Sequence, residues 1–247
     1  MLALLLLASL PGVEHEVGVK VEGAVVAAPH EGFDDHTGPM ARELGQALGW
    51  GWVIADGFRS RAQRRWINVN RPTERPWQDE GFGRTRETDR AARVYAEYQR
   101  HVDAASGRTP LDLIVEIHGH ARTVETADGA RVKVQAIELA TRGFEVEALR
   151  ALRARFGALA RELDPADRVP LAIEQLDPEY EFAGLSVPFY FGASGAKEAG
   201  SLSPARAARA LHFELPQKVR FDPERRARYV RLLTELLRPL TPEREGS

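Results

Sequence analysis

Histidines and carboxylates are concentrated in three short stretches that lie far apart along the chain. "PHEGFDDHTG" at 29–38 contains two histidines and three acidic residues, "VEIHGH" stands at 115–120, and "LHFELP" stands at 211–216. Imidazole and carboxylate groups act as general acids and bases and as ligands of divalent metals. Two histidines with one carboxylate are a usual set for a catalytic zinc, which keeps one position open for water.

Two of these stretches directly follow apolar runs of strand length. "AVVAAP" at 24–29 leads to His30, and "LDLIVEI" at 111–117 leads to His118 and His120. In open α/β sheets, ligands bind beyond the carboxyl ends of parallel strands. We therefore expect these side chains to meet in space. Either stretch alone is more typical of a solvated turn, so the prediction depends on their joint placement.

Apolar runs alternate with amphipathic stretches along most of the chain, which indicates an α/β fold with a mixed, mostly parallel sheet flanked by helices. The predicted strands lie at 24–29, 52–55, 111–120, 132–139, 169–176 and 211–215. Apolar residues at spacings of three and four predict a helix over about 145–163. Helix starts are predicted near Pro39, at Ser203-Pro204 and at Asp222-Pro223.

Length and composition bound the class of protein. A chain of 247 residues with 43% hydrophobic residues suits one α/β domain, predicted here over 13–247. The net charge of −2 gives no reason to expect nucleic acid as a partner. Because the sequence has no cysteine, a metal site can use only histidine, aspartate or glutamate.

The chain begins with the apolar run "MLALLLLASLPG" at 1–12. The run has the length of a signal peptide but lacks a basic start, and it is too short to span a bilayer. A signal with an upstream start, a lipophilic anchor and a first apolar segment of the fold are the alternatives. Export is favoured over a cytoplasmic location, and no other stretch approaches transmembrane length.

Two further features point to a catalytic site. The polar connection over about 59–85 is long for a compact domain, and such loops are usually functional. Glu214 is flanked by Phe213 and Leu215, with Pro216 next, so its carboxylate is expected to face a partly apolar cleft, an environment that suits a general base.

Two other acidic residues, Glu116 and Glu138, lie within strand-like runs, where a buried carboxylate needs a partner. We therefore expect each of them to pair with an arginine such as Arg122 or Arg142.

The motifs "PHEGFDDHT", "INVNRP", "VEIHGH" and "LHFELP" resemble, in order and rough spacing, those of the N-formylglutamate amidohydrolase family. They are also similar to a shortened zinc carboxypeptidase pattern and to phage poly-γ-glutamate hydrolases. The resemblance covers about 24–237 and implies the zinc carboxypeptidase (phosphorylase/hydrolase-like) fold. It further implies zinc-dependent cleavage of an amide bond in a small-molecule or peptide substrate with a free carboxylate.

The resemblance also implies roles for individual residues. His30 and His118 are expected to bind Zn²⁺ together with Asp34, although carboxypeptidases place the acidic ligand at the position of Phe33; Asp35 and Glu31 are the alternatives. Glu214 resembles the glutamate that deprotonates the zinc-bound water. The expected substrate-binding residues are Asn70, Arg71, Tyr190 and His120.

Three alternative functions are weighed against the zinc-dependent amidohydrolase. A non-catalytic module that binds an acidic ligand would explain Phe33 at the ligand position, but it would have no use for Glu214 as a base. An exported zinc carboxypeptidase acting on cell-wall peptides would suit a signal at 1–12. A serine esterase is disfavoured, because "GASG" at 192–195 is not a G-x-S-x-G motif.

Overall fold

The structure is a computed structural model that describes residues 12–242. Its centre is a mixed sheet with the strand order β1-β3-β2-β4-β7-β5-β6. The strands are β1 (Val13–Glu16), β2 (Ala24–Glu31), β3 (Gly51–Asp56), β4 (Leu111–His120), β5 (Ile137–Arg142), β6 (Leu171–Ile173) and β7 (Ala207–Pro216). Strands β3, β2, β4 and β7 are mutually parallel, whereas β5 and β6 run antiparallel to β7, and β1 runs antiparallel to β3.

Helices cover both faces of this sheet, so the predicted fold class is confirmed. They are α1 (Thr37–Leu48), α2 (Asp89–Ser106), α3 (Val146–Arg161), α4 (Ser194–Ala199), α5 (Gln217–Arg220) and α6 (Pro223–Leu237), with a 3-10 turn at Arg238–Leu240. Helices α1, α3 and α6 pack on one face and α2 on the other. None of the helices in residues 12–242 has the length and apolar character needed to cross a membrane.

The connections between the elements of the central sheet contain several short strands. The region 59–87, defined here as the arginine-rich insert, contains Arg59–Ser60, Arg65–Asn68, Thr73–Glu74 and Arg86–Glu87 in one small sheet, with a hairpin of Trp77–Gln78 and Gly81–Phe82. Two more hairpins pair Thr123–Glu125 with Arg131–Lys133 and Glu179–Phe182 with Leu185–Pro188. The segment 1–12 falls outside the described residues except for Gly12, so the prediction of a signal-like segment stays a prediction.

Period-two alternation gives the central sheet two different faces. In β4, Leu113, Val115 and Ile117 pack beneath α1, α3 and α6, whereas Glu116 and His118 point to the other face. Strand β7 repeats the pattern, with Leu211, Phe213 and Leu215 on the apolar face. The second face is apolar beneath α2 and becomes polar toward the carboxyl ends of the strands.

Two predicted helix starts are confirmed, and each has a carboxylate at its amino end. The side chain of Asp222 accepts a hydrogen bond from the backbone N–H of Arg225 and caps α6, whose first residue is Pro223. Helix α1 begins at Thr37, and the carboxylate of Glu31 accepts hydrogen bonds from the N–H of Gly38 and the hydroxyl of Thr37. Glu31 is therefore occupied in satisfying a helix terminus.

Three sequence predictions about the elements need correction. No helix begins at Ser203-Pro204: the carbonyl of Ser203 accepts from the N–H of Arg206 and Ala207 in a turn, and β7 starts there because it pairs with β4. The predicted strand 132–139 is divided between the hairpin strand ending at Lys133 and β5. The run 169–176 contributes only Leu171–Ile173, because the chain turns from Ile173 back through Asp177.

The glycine of "HGH" is required by a buried arginine. The guanidinium of Arg220 donates to the carbonyls of Leu215, Asp35 and His120, which belong to three different segments. A Cβ at Gly119 would lie 2.2 Å from the Cζ of Arg220. Arg220 thus ties together the ends of β4 and β7 and the turn after β2, and this close approach leaves room only for glycine.

A double-mutant cycle tests this packing. We expect Gly119→Ala to lower the free energy of unfolding by about 2 kcal/mol or more, because it displaces the buried guanidinium from its carbonyls. In an Arg220→Ala background, where the obstructing group is gone, the same substitution should cost less than about 0.5 kcal/mol. Urea unfolding of the four proteins measures the coupling.

Gly81→Ala is the matched control, since no atom of the described residues, apart from Gly81 and its two chain neighbours, lies within 4 Å of the position of its Cβ. If the losses of unfolding free energy at positions 119 and 220 were additive, the two residues would not share this contact.

Candidate active site

A pocket of about 480 Å³ opens at the carboxyl ends of β2, β4 and β7. Among the residues that line it are His30, Asp34, Arg59, Asn70, Arg71, His118, His120, Tyr190, His212 and Glu214. Every residue predicted from the sequence to act in catalysis, metal binding or substrate binding is in this set. The arrangement is typical of open α/β enzymes, whose sites lie at this edge of the sheet.

A strand irregularity and a tight turn bring His30 and Asp34 into the pocket. By strict alternation His30 would point with Ala28 toward α1, but the register of β2 shifts between Ala28 and Glu31. The N–H groups of Phe33 and Asp34 then bond to the carbonyl of His30, with N···O distances of 3.1 and 2.8 Å. This turn directs the carboxylate of Asp34 back over His30.

Three atoms of the kinds that bind zinc converge in the pocket. The Nδ1 atoms of His30 and His118 are 3.1 Å apart, and the Oδ2 atom of Asp34 lies 3.3 Å from His118 Nδ1 and 3.5 Å from His30 Nδ1. A tetrahedral ion bound at about 2.0–2.1 Å by three such atoms needs them roughly 3.3 Å apart. The donor set and its spacing therefore fit a zinc ion. Asp35 is exposed and Glu31 caps α1, so the convergent carboxylate is that of Asp34.

The local electrostatics favour a neutral His30 beside an ionised carboxylate. Burial and the nearby charge of Arg59 lower the pKa of His30 to about 3. Burial opposes ionisation of Asp34, but hydrogen bonds with His118 and His30 outweigh it and hold its pKa below the usual range. Burial also lowers the pKa of His118, yet its bonds to Asp34 and Glu116 prevail and raise it to about 9.

The buried carboxylate of Glu116 orients the ring of His118. Glu116 Oε2 lies 2.9 Å from His118 Nε2 and accepts from Asn70 Nδ2 at 3.0 Å, while Oε1 accepts from the hydroxyl of Ser201. Fixing one ring nitrogen in this way leaves Nδ1 directed at Asp34 and His30, as metal-binding histidines require. The sequence predicted an arginine partner for Glu116, such as Arg122 or Arg142. That prediction is wrong, because histidine and amide donors on neighbouring segments reach the carboxylate instead.

Glu214 lies next to His118, its partner in the β4–β7 register. Its carboxylate is buried; Oε1 lies 3.2 Å from the Nε2 of His212, and Oε2 has no hydrogen-bond partner among the described residues. A buried oxygen that lacks a partner and faces the pocket is suited to accept a proton from a bound molecule.

Two guanidinium groups reach the pocket from the arginine-rich insert. Arg71 makes no ion pair or side-chain hydrogen bond within residues 12–242. Its guanidinium lies close against Gly195, where a Cβ would be 2.3 Å from Nη1. Arg59 donates to Asn68 and lies over the rings of Phe33 and Trp66. The burial of Arg59 lowers its pKa to about 10, so it stays charged at neutral pH.

The other predicted substrate-binding residues occupy different parts of the pocket. The amide of Asn70 is engaged with Glu116. Both ring nitrogens of His120 have partners, the carbonyl of Ala136 at 2.9 Å and the N–H of Arg122 at 3.4 Å. Tyr190 is 69% exposed at the rim, where its ring stacks on Arg122. Among the predicted substrate-binding residues, Arg71 alone presents a charged group without a partner in residues 12–242.

The rim around Tyr190 is held by Glu138. This fully buried carboxylate pairs with Arg122 at 2.6 Å, as predicted, and accepts from the hydroxyl of Tyr180 and from the N–H groups of Tyr190 and Phe191. Burial and the neighbouring Glu138 raise the pKa of Tyr180. Four donors on one carboxylate fix the loop that borders the pocket.

Sequence reasoning missed Arg59, Glu116, Ser201 and His212 as members of the site. Glu116 and His212 carried a signal: polar residues at every second position within the apolar runs of β4 and β7. Arg59 lies in a basic stretch that is typical of solvated loops, and Ser201 is 85 residues from the carboxylate it meets, so neither had a local signal.

The fold is shared with known hydrolases. No protein-family model and no curated protein matches the chain. N-formylglutamate amidohydrolase from Ralstonia eutropha JMP134 matches with a TM-score of 0.55 at 15% identity, over 94% of this chain and 97% of that one. A metallo-carboxypeptidase from Burkholderia cenocepacia also matches, with a TM-score of 0.47 at 12% identity, over 92% of this chain and 64% of that one. So does a bacteriophage poly-γ-glutamate hydrolase, with a TM-score of 0.46 at 8% identity, over 93% of this chain and 89% of that one. The resemblance inferred from the sequence is confirmed at the level of the fold.

The convergence of ligand atoms leads to a prediction about metal retention. Asp34→Ala should lose bound zinc, because it removes one of three converging ligand atoms. Asp35→Ala is the matched control, and we expect it to keep about one zinc per chain because its side chain is exposed. Elemental analysis of protein purified without a histidine tag measures both. Equal retention in the two variants would contradict the assignment of Asp34.

Proposed function

We propose that the protein is a zinc-dependent amidohydrolase that cleaves an amide bond in a substrate bearing a free carboxylate. The substrate class comprises N-acyl amino acids such as N-formylglutamate, γ-glutamyl compounds and peptides with a free carboxyl terminus. The observation that carries this proposal is the convergence of His30 Nδ1, Asp34 Oδ2 and His118 Nδ1 beside the unpartnered carboxylate oxygen of Glu214.

The fold match supports a hydrolytic function of this kind. The solved N-formylglutamate amidohydrolase covers nearly the whole chain, and its name describes hydrolysis of an amide in a carboxylate-bearing compound. A non-catalytic binding module was the alternative suggested by Phe33 at the expected ligand position. Asp34 supplies a carboxylate one residue later, through the turn at His30, and this favours the hydrolase.

His30, Asp34 and His118 would hold the zinc, which when bound supplies Lewis acidity and lowers the pKa of a water molecule. Glu214 accepts the proton from the attacking water at Oε2 and later donates it to the departing amine, so that one carboxylate serves first as base and then as acid. His212 holds Glu214 Oε1 and thereby keeps Oε2 directed into the pocket. No covalent bond between substrate and protein is required.

The two arginines fix the position of the substrate. Arg71 has no acidic partner in the described part of the chain, and its planar guanidinium suits two parallel hydrogen bonds to the substrate's free carboxylate. Arg59 lies nearer the turn at Phe33 and adds positive charge on the side of the scissile carbonyl. Holding the carboxylate at a set distance from the amide converts binding energy into orientation.

The first test removes the proposed base. Glu214→Gln should lower kcat by about 10²–10⁴ and leave zinc content unchanged, because the amide keeps the shape but cannot take up the proton. Turnover of N-formyl-L-glutamate and elemental analysis measure the two effects. Glu181→Gln, which changes an exposed glutamate of the hairpin at 179–188, should behave as wild type. Near-normal turnover of Glu214→Gln would show that another group is the base.

The second test asks whether Arg71 binds the free carboxylate of the substrate. Arg71→Ala should raise KM about tenfold or more for substrates with a free carboxylate and should have little effect on the corresponding amides. Arg71→Lys should recover only part of the loss, since an ammonium group cannot form the paired hydrogen bonds of a guanidinium. Equal effects on acids and amides would remove this role from Arg71.

A further inference from the structure

A second cavity, of about 720 Å³, adjoins the active-site pocket. We define it as the aromatic groove; its floor is made by Phe33, Trp66 and Phe82, and its polar wall by Asp56, Arg59, Ser60, Arg61 and Gln63. Phe33 and Arg59 line both cavities, so the two are adjacent. Arg71 and Gly195, where the substrate carboxylate is expected, line only the active-site pocket.

The floor of the groove is a set of rings packed edge to face. The ring centroids of Phe33 and Trp66 are 4.8 Å apart, and those of Trp66 and Phe82 are 5.2 Å apart. Guanidinium groups stack on these rings: Arg59 lies over Phe33 and Trp66, and Arg75 lies over Trp66. Phe33 remains 47% exposed, although it lies only two residues beyond the end of the buried strand β2. These contacts create a preformed aromatic surface that is open on one side.

We propose that the aromatic groove binds the acyl portion of the substrate and selects acyl groups that carry an aromatic ring. This inference rests on the proposed amidohydrolase function and narrows its substrate class. With the carboxylate held at Arg71, the acyl group on the far side of the scissile amide extends past Phe33 toward the groove, because Phe33 lines both cavities and Arg71 does not line the groove.

Size and chemistry both favour an aromatic occupant. A formyl group would leave the groove empty, whereas a volume of this order accommodates a ring and its linker. Another ring can extend the edge-to-face series of Phe33, Trp66 and Phe82, which stabilises binding beyond the area buried. Two guanidinium groups against the one carboxylate of Asp56 make the wall cationic, which also favours a π face over an aliphatic chain.

Phe33 connects the groove to the catalytic turn. Its backbone N–H bonds to the carbonyl of His30, and Asp34 follows it directly. A ring packed on Phe33 therefore lies beside the segment that carries two of the three proposed metal ligands. Occupation of the groove orients the scissile carbonyl, so an aromatic acyl group should affect kcat as well as KM.

The experiment compares N-benzoyl-L-glutamate with N-formyl-L-glutamate. The wild-type protein should hydrolyse the benzoyl compound with a kcat/KM about tenfold or more above that of the formyl compound. Trp66→Ala should lower this ratio about tenfold, and Trp66→Phe, which retains a ring, should recover most of it. Trp77→Ala is the matched control: Trp77 packs on Phe82 but does not line the groove, so the ratio should stay at its wild-type value.

A binding measurement separates the groove from the proposed function. Isothermal titration of the folded Glu214→Gln protein with both compounds should give tighter binding of the benzoyl one, and the advantage should disappear in a Glu214→Gln, Trp66→Ala double variant. That pattern without any turnover in wild type would support the groove and overturn the amidohydrolase. Turnover with no preference for benzoyl, or a preference that Trp66→Ala leaves intact, would overturn the groove and keep the amidohydrolase.

Discussion

The buried carboxylate of Glu116 is the constraint on which the candidate site depends. It is 0% exposed, and it meets His118 on its own strand, Asn70 from the arginine-rich insert and Ser201 from the segment before β7. Burial alone would raise the pKa of Glu116, but the hydrogen bonds with His118 and His212 outweigh it and hold the pKa below the usual range. An ionised carboxylate at this depth is stable only with its donors in place, so the three segments are positioned together.

The alternation along β4 and β7 explains how one sheet supplies both a core and a site. On the face beneath α1, α3 and α6, each strand presents three apolar residues in alternation: Leu113, Val115 and Ile117 in β4, and Leu211, Phe213 and Leu215 in β7. On the other face, α2 covers only the first halves of the strands, and the polar residues of the second halves line the pocket. The core therefore stabilises the same strands that carry the pocket side chains, and the rigid strands hold those side chains in a fixed geometry.

The loops around the site are fixed by charged groups that bind backbone atoms. Arg220 donates to carbonyls of three segments, and Glu138 accepts from the N–H groups of Tyr190 and Phe191. These contacts satisfy polar backbone groups that would otherwise be buried without partners. In this fixed arrangement, the guanidinium of Arg71 and Glu214 Oε2 have no partner among residues 12–242, so both are free to contact a ligand.

The sequence by itself determined the fold class, most of the central strands and the three stretches whose histidines and acidic residues line the pocket. Local periodicity predicts which residues face the core, and the position of His30 and His118 after strand-like runs predicts that they meet. The tertiary structure decided the rest. Asp34 rather than Asp35 or Glu31 enters the pocket because of the bulge in β2 and the turn at His30, and Glu116 pairs with His118, Asn70 and Ser201 rather than with an arginine. Contacts between residues this distant along the chain depend on strand order and register, which leave no pattern in the local sequence.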